Sequence, residues 1–158
     1  SAICLFLGVC GGCRHRRRLV MRKDNGNRMD PIWTELYQAA CAALQPRKIS
    51  EWIEVGGVAA ALESASGAIY TGICVDGACT LGICAERNAL FSLLTHGESA
   101  IRRMVAVNRD KMPLPPCGAC RELVTQLMPE GYPSVEVMLG WEPPRIVTLG
   151  ELTPDWWI

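Results

Sequence analysis

The stretch "PPCGACREL", Pro115 to Leu123, places two cysteines three residues apart directly behind a double proline. Proline is tolerated in the first turn of a helix and excluded from its interior, so the pair marks a helix start. A CxxC at such a start can be half of a zinc site, a redox pair or two packed thiols. Its reading depends on a second half elsewhere in the chain. That half is "CAERNALF", Cys84 to Phe91, where another cysteine stands at the head of a helical segment.

Helix N-termini carry roughly half a positive charge and free N–H groups, which stabilise thiolates. A thiolate is the form that binds zinc. Cys117 and Cys120 lie one helical turn apart and can chelate one ion, and Cys84 on a neighbouring helix can complete a three-thiolate set. Three is the informative number, because a structural zinc is closed by four protein ligands while a catalytic zinc keeps a position for water. Glu86, two residues after Cys84, is spaced to reach that water without being a ligand. Spacing alone leaves other readings open: ordinary buried thiols, or a closed site with Cys79 as fourth ligand. The redox reading lacks a thioredoxin-like strand pattern around it.

The rest of the chain supplies an α/β framework. Asp30-Pro31 reads as an N-cap and first-turn pair, followed by Ile32, Leu36, Ala39, Ala40 and Ala43 at helical spacing up to Pro46. Val58–Ser64 and Gly67–Val75 read as two strands joined by a turn near Ser66-Gly67. A helix is expected from Cys84 to about His96, with Ala85, Ala89, Phe91, Leu93 and Leu94 as its apolar positions. Met104–Asn108 reads as a buried strand, 117–128 as a second helix, and Val135–Leu139 and Arg145–Leu149 as two more strands. Such alternation predicts a two- or three-layer α/β domain around a mixed sheet.

The chain has 158 residues, 49% hydrophobic and 20% charged, which indicates about one domain with a compact core. Seven of its sixteen Lys/Arg fall in Ser1–Met29 against the single acid Asp24, leaving nine basic and fifteen acidic residues beyond. Residues 1–29 are expected to lie outside the domain, as non-native upstream sequence or a disordered basic tail; Cys10, Cys13 and His15 offer too few partners for a convincing metal site. The acidic domain, 30–158, argues against binding a nucleic-acid backbone, and no apolar run approaches the roughly 20 residues of a membrane span. Nine cysteines without a framework spacing point to a reducing cytoplasm, with some thiols on metal.

The pair "CAER" and "PPCGACRE" resembles the cytidine deaminase family, especially its small Cys₃-zinc members such as blasticidin-S deaminase, over roughly residues 58–154. The resemblance implies a layered fold with a mixed sheet flanked by helices, and Zn²⁺ on Cys84, Cys117 and Cys120. It implies a hydrolytic deaminase of a cytidine-like aminopyrimidine nucleoside, in which Glu86 takes a proton from water activated at the zinc. That water attacks the amino-bearing ring carbon, and Glu86 returns protons to the ring nitrogen and the departing ammonia. Arg87 matches the residue that donates toward the ligand thiolates; its plain reading is a surface ion pair. Ala85, Cys74 and Asp76 fall at substrate-binding positions. A homodimer or homotetramer is also implied, with Trp156 and Trp157 covering a neighbour's site or simply packing the chain end.

Three positions depart from the nucleoside pattern. Along "GGVAAAL", Gly56 takes the place of an aromatic; Cys74 replaces an asparagine and Asp76 a glutamate. A pocket that loses hydroxyl-binding groups loses discrimination. Cytidine is therefore one expected substrate, and an aminonucleoside antibiotic is the alternative, the "CRE" of Cys120-Arg121-Glu122 being shared with blasticidin-S deaminase. A catalytically silent zinc module on the same fold is the other alternative. His96 is expected to be a solvated residue at a helix end.

Overall fold

The computed structural model describes residues 29–157. The reading of residues 1–28, including the Cys10, Cys13 and His15 cluster, lies outside the described residues. The elements run α1 (Pro31–Ala43), β1 (Arg47–Lys48), β2 (Glu54–Ser64), β3 (Ile69–Asp76), α2 (Ala85–Thr95), β4 (Ile101–Asn108), β5 (Pro113–Leu114), α3 (Gly118–Leu127), a 3-10 turn (Tyr132–Ser134), β6 (Glu136–Gly140), β7 (Arg145–Thr148) and α4 (Leu149–Leu152).

One mixed sheet carries the main strands in the order β3-β2-β4-β6-β7, with β1 paired to β2 and β5 to β4. Every pair is antiparallel except β4 with β6, so a single crossover, through α3, joins parallel strands. Side chains alternate across the strands and divide the core in two. Ala61, Val105, Val107 and Met138 face α1 and pack on Trp33, Leu36 and Ala40. Leu62, Met104 and Val137 face the other way, onto Leu90 and Leu93 of α2 and Val124 of α3. The layers are therefore three: α1, sheet, then α2 with α3.

Local chemistry sets the helix ends. Asp30 Oδ1 accepts the Ile32 N–H at 3.2 Å, and Pro31 stands in the first turn, as the sequence predicts. α2 stops where Gly97 takes φ +82°; Gly97 N bonds Leu94 O at 3.0 Å and Glu98 N bonds Leu93 O at 3.2 Å, the Schellman pattern. α2 also lies unusually close to β3. A Cβ on Gly72 would collide with Ala89 N and Ala85 O, so only glycine lets the helix settle there.

The structure departs from expectation in several places. Phe91 and Leu94 are not core positions: they are 44% and 38% exposed, and Leu90 is buried instead. They share the face of α2 turned away from the sheet. β2 begins four residues earlier than expected, because β1 gives its start a partner at Val55. The two-residue strands β1 and β5 and the short α4, with its Thr148–Glu151 capping box, are additional elements.

Arg103 on β4 ties the layers together. Its guanidinium meets Glu63 at 2.7 Å, Glu136 at 2.7 Å and Asp30 at 3.2 Å. The Glu63 side chain is only 7% exposed, and this cation is its close counter-ion. Arg103→Met should lower unfolding stability by roughly 3 kcal/mol, because it strands a buried carboxylate. Urea denaturation followed by circular dichroism measures it; an unchanged midpoint would show that the cluster is stabilising nothing.

Candidate active site

Two helix N-termini meet beside β3. Cys84 is the N-cap of α2 and Cys117 the N-cap of α3, both with extended backbone (ψ 151° and 169°). Neither makes a side-chain capping bond, which leaves both sulfurs free to face each other. Cys84 is delivered by a bridge between Val75 and Ile83, whose N–H groups bond each other's carbonyl at 3.0 and 2.9 Å. Cys117 is delivered by Arg121, which donates from Nε to Pro116 O and from Nη1 to Leu152 O, both at 2.8 Å.

Cys84 Sγ lies 3.4 Å from Cys117 Sγ, which lies 3.5 Å from Cys120 Sγ. The three sulfurs all fall within 4.8 Å of one another. A tetrahedral zinc with Zn–S near 2.3 Å holds its sulfurs about 3.8 Å apart, so the triad has the dimensions of a metal site. Cys79 is not in the cluster; it is exposed and sits at φ 56° in the loop before Cys84. The six cysteines among the described residues are all free.

The electrostatics of the triad call for a cation. Burial pushes the Cys84 thiol up, as does its bond with Cys117. Cys120 is pushed up strongly by burial and then by the charge of Glu86. Cys117 feels the same burial, but the nearby backbone N–H groups of Cys120 and Ala119 at the head of α3 and the other two thiols outweigh it and lower its value. One thiol is thus lowered while its two neighbours are raised, a conflict that a divalent ion bound by all three removes.

Glu86 occupies the first turn of α2 and is 5% exposed. Burial raises its pKa, and its own backbone N–H, Cys120 and Arg87 offset that only in part. Arg87 has no carboxylate partner among the described residues. Burial would lower its pKa, but the Cys84 thiol against its guanidinium outweighs this and raises it. Its Nε is buried with no hydrogen-bond partner among the described residues.

These groups floor a cleft of about 500 Å³, lined by Gly57, Val58, Cys74, Asp76, Ala85 and Arg109 among others. The sequence-identified Cys84, Ala85, Glu86, Arg87, Cys117, Cys74 and Asp76 are thus brought together, with Cys120 buried beneath them. Gly56 is not part of the wall. Its φ of +73° bulges β2, and a Cβ there would strike Gln45 O rather than project into the cleft. Cys74 Sγ accepts the Val58 N–H at 3.2 Å and donates to Asp76 Oδ2 at 3.5 Å. Arg109 is the wall residue sequence reading missed. Its signal was the pairing of "MVAVN" with β2, which sets Asn108 opposite Val58 and carries the next residue over the glycine pair.

Trp156 and Trp157 do not line the cleft of this chain. Both indole N–H groups donate to Glu122, at 3.1 and 3.0 Å, and Trp156 packs edge-on to Tyr132. Arg121 and Glu122 of the "CRE" run therefore fasten the C-terminal segment to α3. His96 is exposed at the end of α2, its Nδ1 2.8 Å from Ser92 O.

No protein-family model matches the chain. A curated cytidine deaminase of Halalkalibacterium halodurans is 36% identical over 101 residues, 61% of this chain and 74% of the relative. The crystal structure of cytidine deaminase from Burkholderia pseudomallei superposes with a TM-score of 0.63 at 34% identity, covering 78% of this chain and 98% of that one. That from Mycobacterium leprae gives 0.64 at 27% identity, covering 80% and 100%. Fold and relatives together define a hydrolase of the C–N bonds of cyclic amidines. The chain belongs to the cytidine deaminase family, and the α/β architecture is that family's.

Cys117→Ala should abolish stoichiometric zinc binding, whereas Cys79→Ala should leave it intact. Elemental analysis after dialysis reads both; zinc lost equally from each variant would place the metal elsewhere.

Proposed function

We propose that the protein is a zinc-dependent hydrolytic deaminase of a cytidine-like aminopyrimidine nucleoside, with residues 30–158 as its catalytic domain. The observation that carries this reading is a buried carboxylate, Glu86, beside three mutually close thiols at the floor of a nucleoside-sized cleft.

Cys84, Cys117 and Cys120 would hold the zinc, which supplies Lewis acidity that makes water at the cleft floor a better nucleophile. Glu86 accepts the proton from that water and passes protons to the ring nitrogen and the leaving amine. A carboxylate that does both needs a pKa nearer the working pH than a solvated one has, and burial moves Glu86 that way. Arg87 offsets the thiolate charge, with Cys84 against its guanidinium. Ala85, at the start of α2, and the Cys74–Asp76 pair border the substrate.

Asp76 supplies a carboxylate to which a sugar hydroxyl can donate. Cys74, turned onto Val58 N–H and Asp76, presents no amide to a ribose. That inward thiol favours a second reading, in which the preferred substrate is a different aminonucleoside, such as an antibiotic. Exposed Phe91 and Leu94 on the outer face of α2 support a homodimer or homotetramer, and free thiols support a reducing, cytoplasmic setting. No helix among the described residues is long and apolar enough to cross a membrane.

Glu86→Gln should keep zinc at wild-type stoichiometry and lose about 10³-fold in ammonia release from cytidine. A coupled ammonia assay on the zinc-loaded variant decides it. Turnover near wild type would remove Glu86 from the chemistry, and a wild-type protein silent on every amine would support the inert module.

A further inference from the structure

Arg109 stands at the rim of the cleft, with its side chain 66% exposed, while Glu86 and Cys120 lie buried at the floor. It occupies space that Gly57 leaves free. From where a Cβ on Gly57 would stand, Arg109 Nε is 3.4 Å away and Nη2 3.5 Å, so the guanidinium runs along bare β2 backbone. A larger residue at Gly57 would push against it.

The backbone beneath Arg109 is fixed. Asn108 Oδ1 accepts from Asp110 N at 3.0 Å and Met112 N at 2.9 Å, and Lys111 N bonds Asn108 O at 2.9 Å. Tyr37 on α1 donates to Lys111 O at 3.0 Å, anchoring the turn to the opposite layer. Among the described residues, only one carboxylate pairs with the guanidinium: Glu54 Oε2, at 3.9 Å and itself mostly exposed. An ion pair that loose and solvated contributes little, and leaves the donors of a permanent cation available. The other cation of the cleft, Arg87, is one residue beyond Glu86 on α2 and under the influence of the Cys84 thiol.

We infer that Arg109 is a specificity residue that recognises an anionic group on the substrate. The cleft then takes a nucleoside-like amine with the amino-bearing ring at Glu86 and a phosphate or carboxylate at the opposite end. This rests on the deaminase reading for the orientation of the ring, but not for the binding of the anion. A guanidinium meets either anion through two parallel N–H donors, the arrangement in which arginine discriminates best.

Titration calorimetry on the zinc-loaded wild-type chain, with uridine, uridine 5′-monophosphate and uridine 5′-carboxylate, tests it without turnover. At least one anionic ligand should bind about 10- to 100-fold tighter than uridine. The identity of that ligand separates phosphate from carboxylate recognition. Arg109→Ala should bring the anionic-to-neutral ratio close to one, Arg109→Lys should restore part of it, and Glu54→Gln should preserve or raise it. A wild-type ratio near one, or a ratio unmoved by Arg109→Ala, overturns the inference. Ammonia release from cytidine and cytidine 5′-monophosphate is measured in parallel. If neither is turned over while the binding ratio holds, the deaminase reading alone fails.

Discussion

The site depends on the close approach of two helix N-termini that each present a thiol rather than a cap. Cys84 and Cys117 take the extended backbone of N-cap residues, yet neither closes a side-chain capping hydrogen bond. The positive ends of α2 and α3 are thus directed at one point, where three sulfurs crowd within 4.8 Å. The arrangement is possible only because α2 lies tight on β3. Gly72, with no Cβ, sets that distance, and Asn88 Nδ2 donating to Ile73 O at 2.9 Å holds it.

Around this fixed floor the walls serve a different purpose. Cys74 and Asp76 are bonded to each other and to β2, so the wall on that side is short and partly self-satisfied. Next to it the glycine pair Gly56-Gly57 bulges β2 and bares its backbone, along which the Arg109 side chain runs. The floor carries the features of the family's chemistry, whereas the rim combines a retracted acid with a near-free cation. The proposed function therefore places substrate selectivity in the rim and the chemistry at the floor.

The helices and the clustering of the three cysteines were legible because their signals are local. Asp30-Pro31, the double proline before Cys117 and the two cysteine motifs announce helix starts from a few consecutive residues. What was not legible depends on partners distant in sequence. β1 and β5 are two residues each and exist only by pairing with β2 and β4. Phe91 and Leu94 satisfy an apolar pattern, but the close seating of α2 on β3 turns Leu90 inward instead. Gly56 aligned with a ligand-facing aromatic, while its positive φ against Gln45 O gives it a backbone role that no alignment displays. Arg103, with three carboxylates from separate elements, and Arg109, over a glycine more than fifty residues earlier, likewise show only once the sheet register is known.

The central claim is a zinc held by three sulfurs, with one position left to solvent beside Glu86. X-ray absorption at the zinc edge, on the purified chain, reads the coordination shell directly. The account predicts one zinc per chain with three sulfur neighbours at about 2.3 Å and one lighter neighbour. A shell of four sulfurs, or no stoichiometric zinc at all, would contradict it.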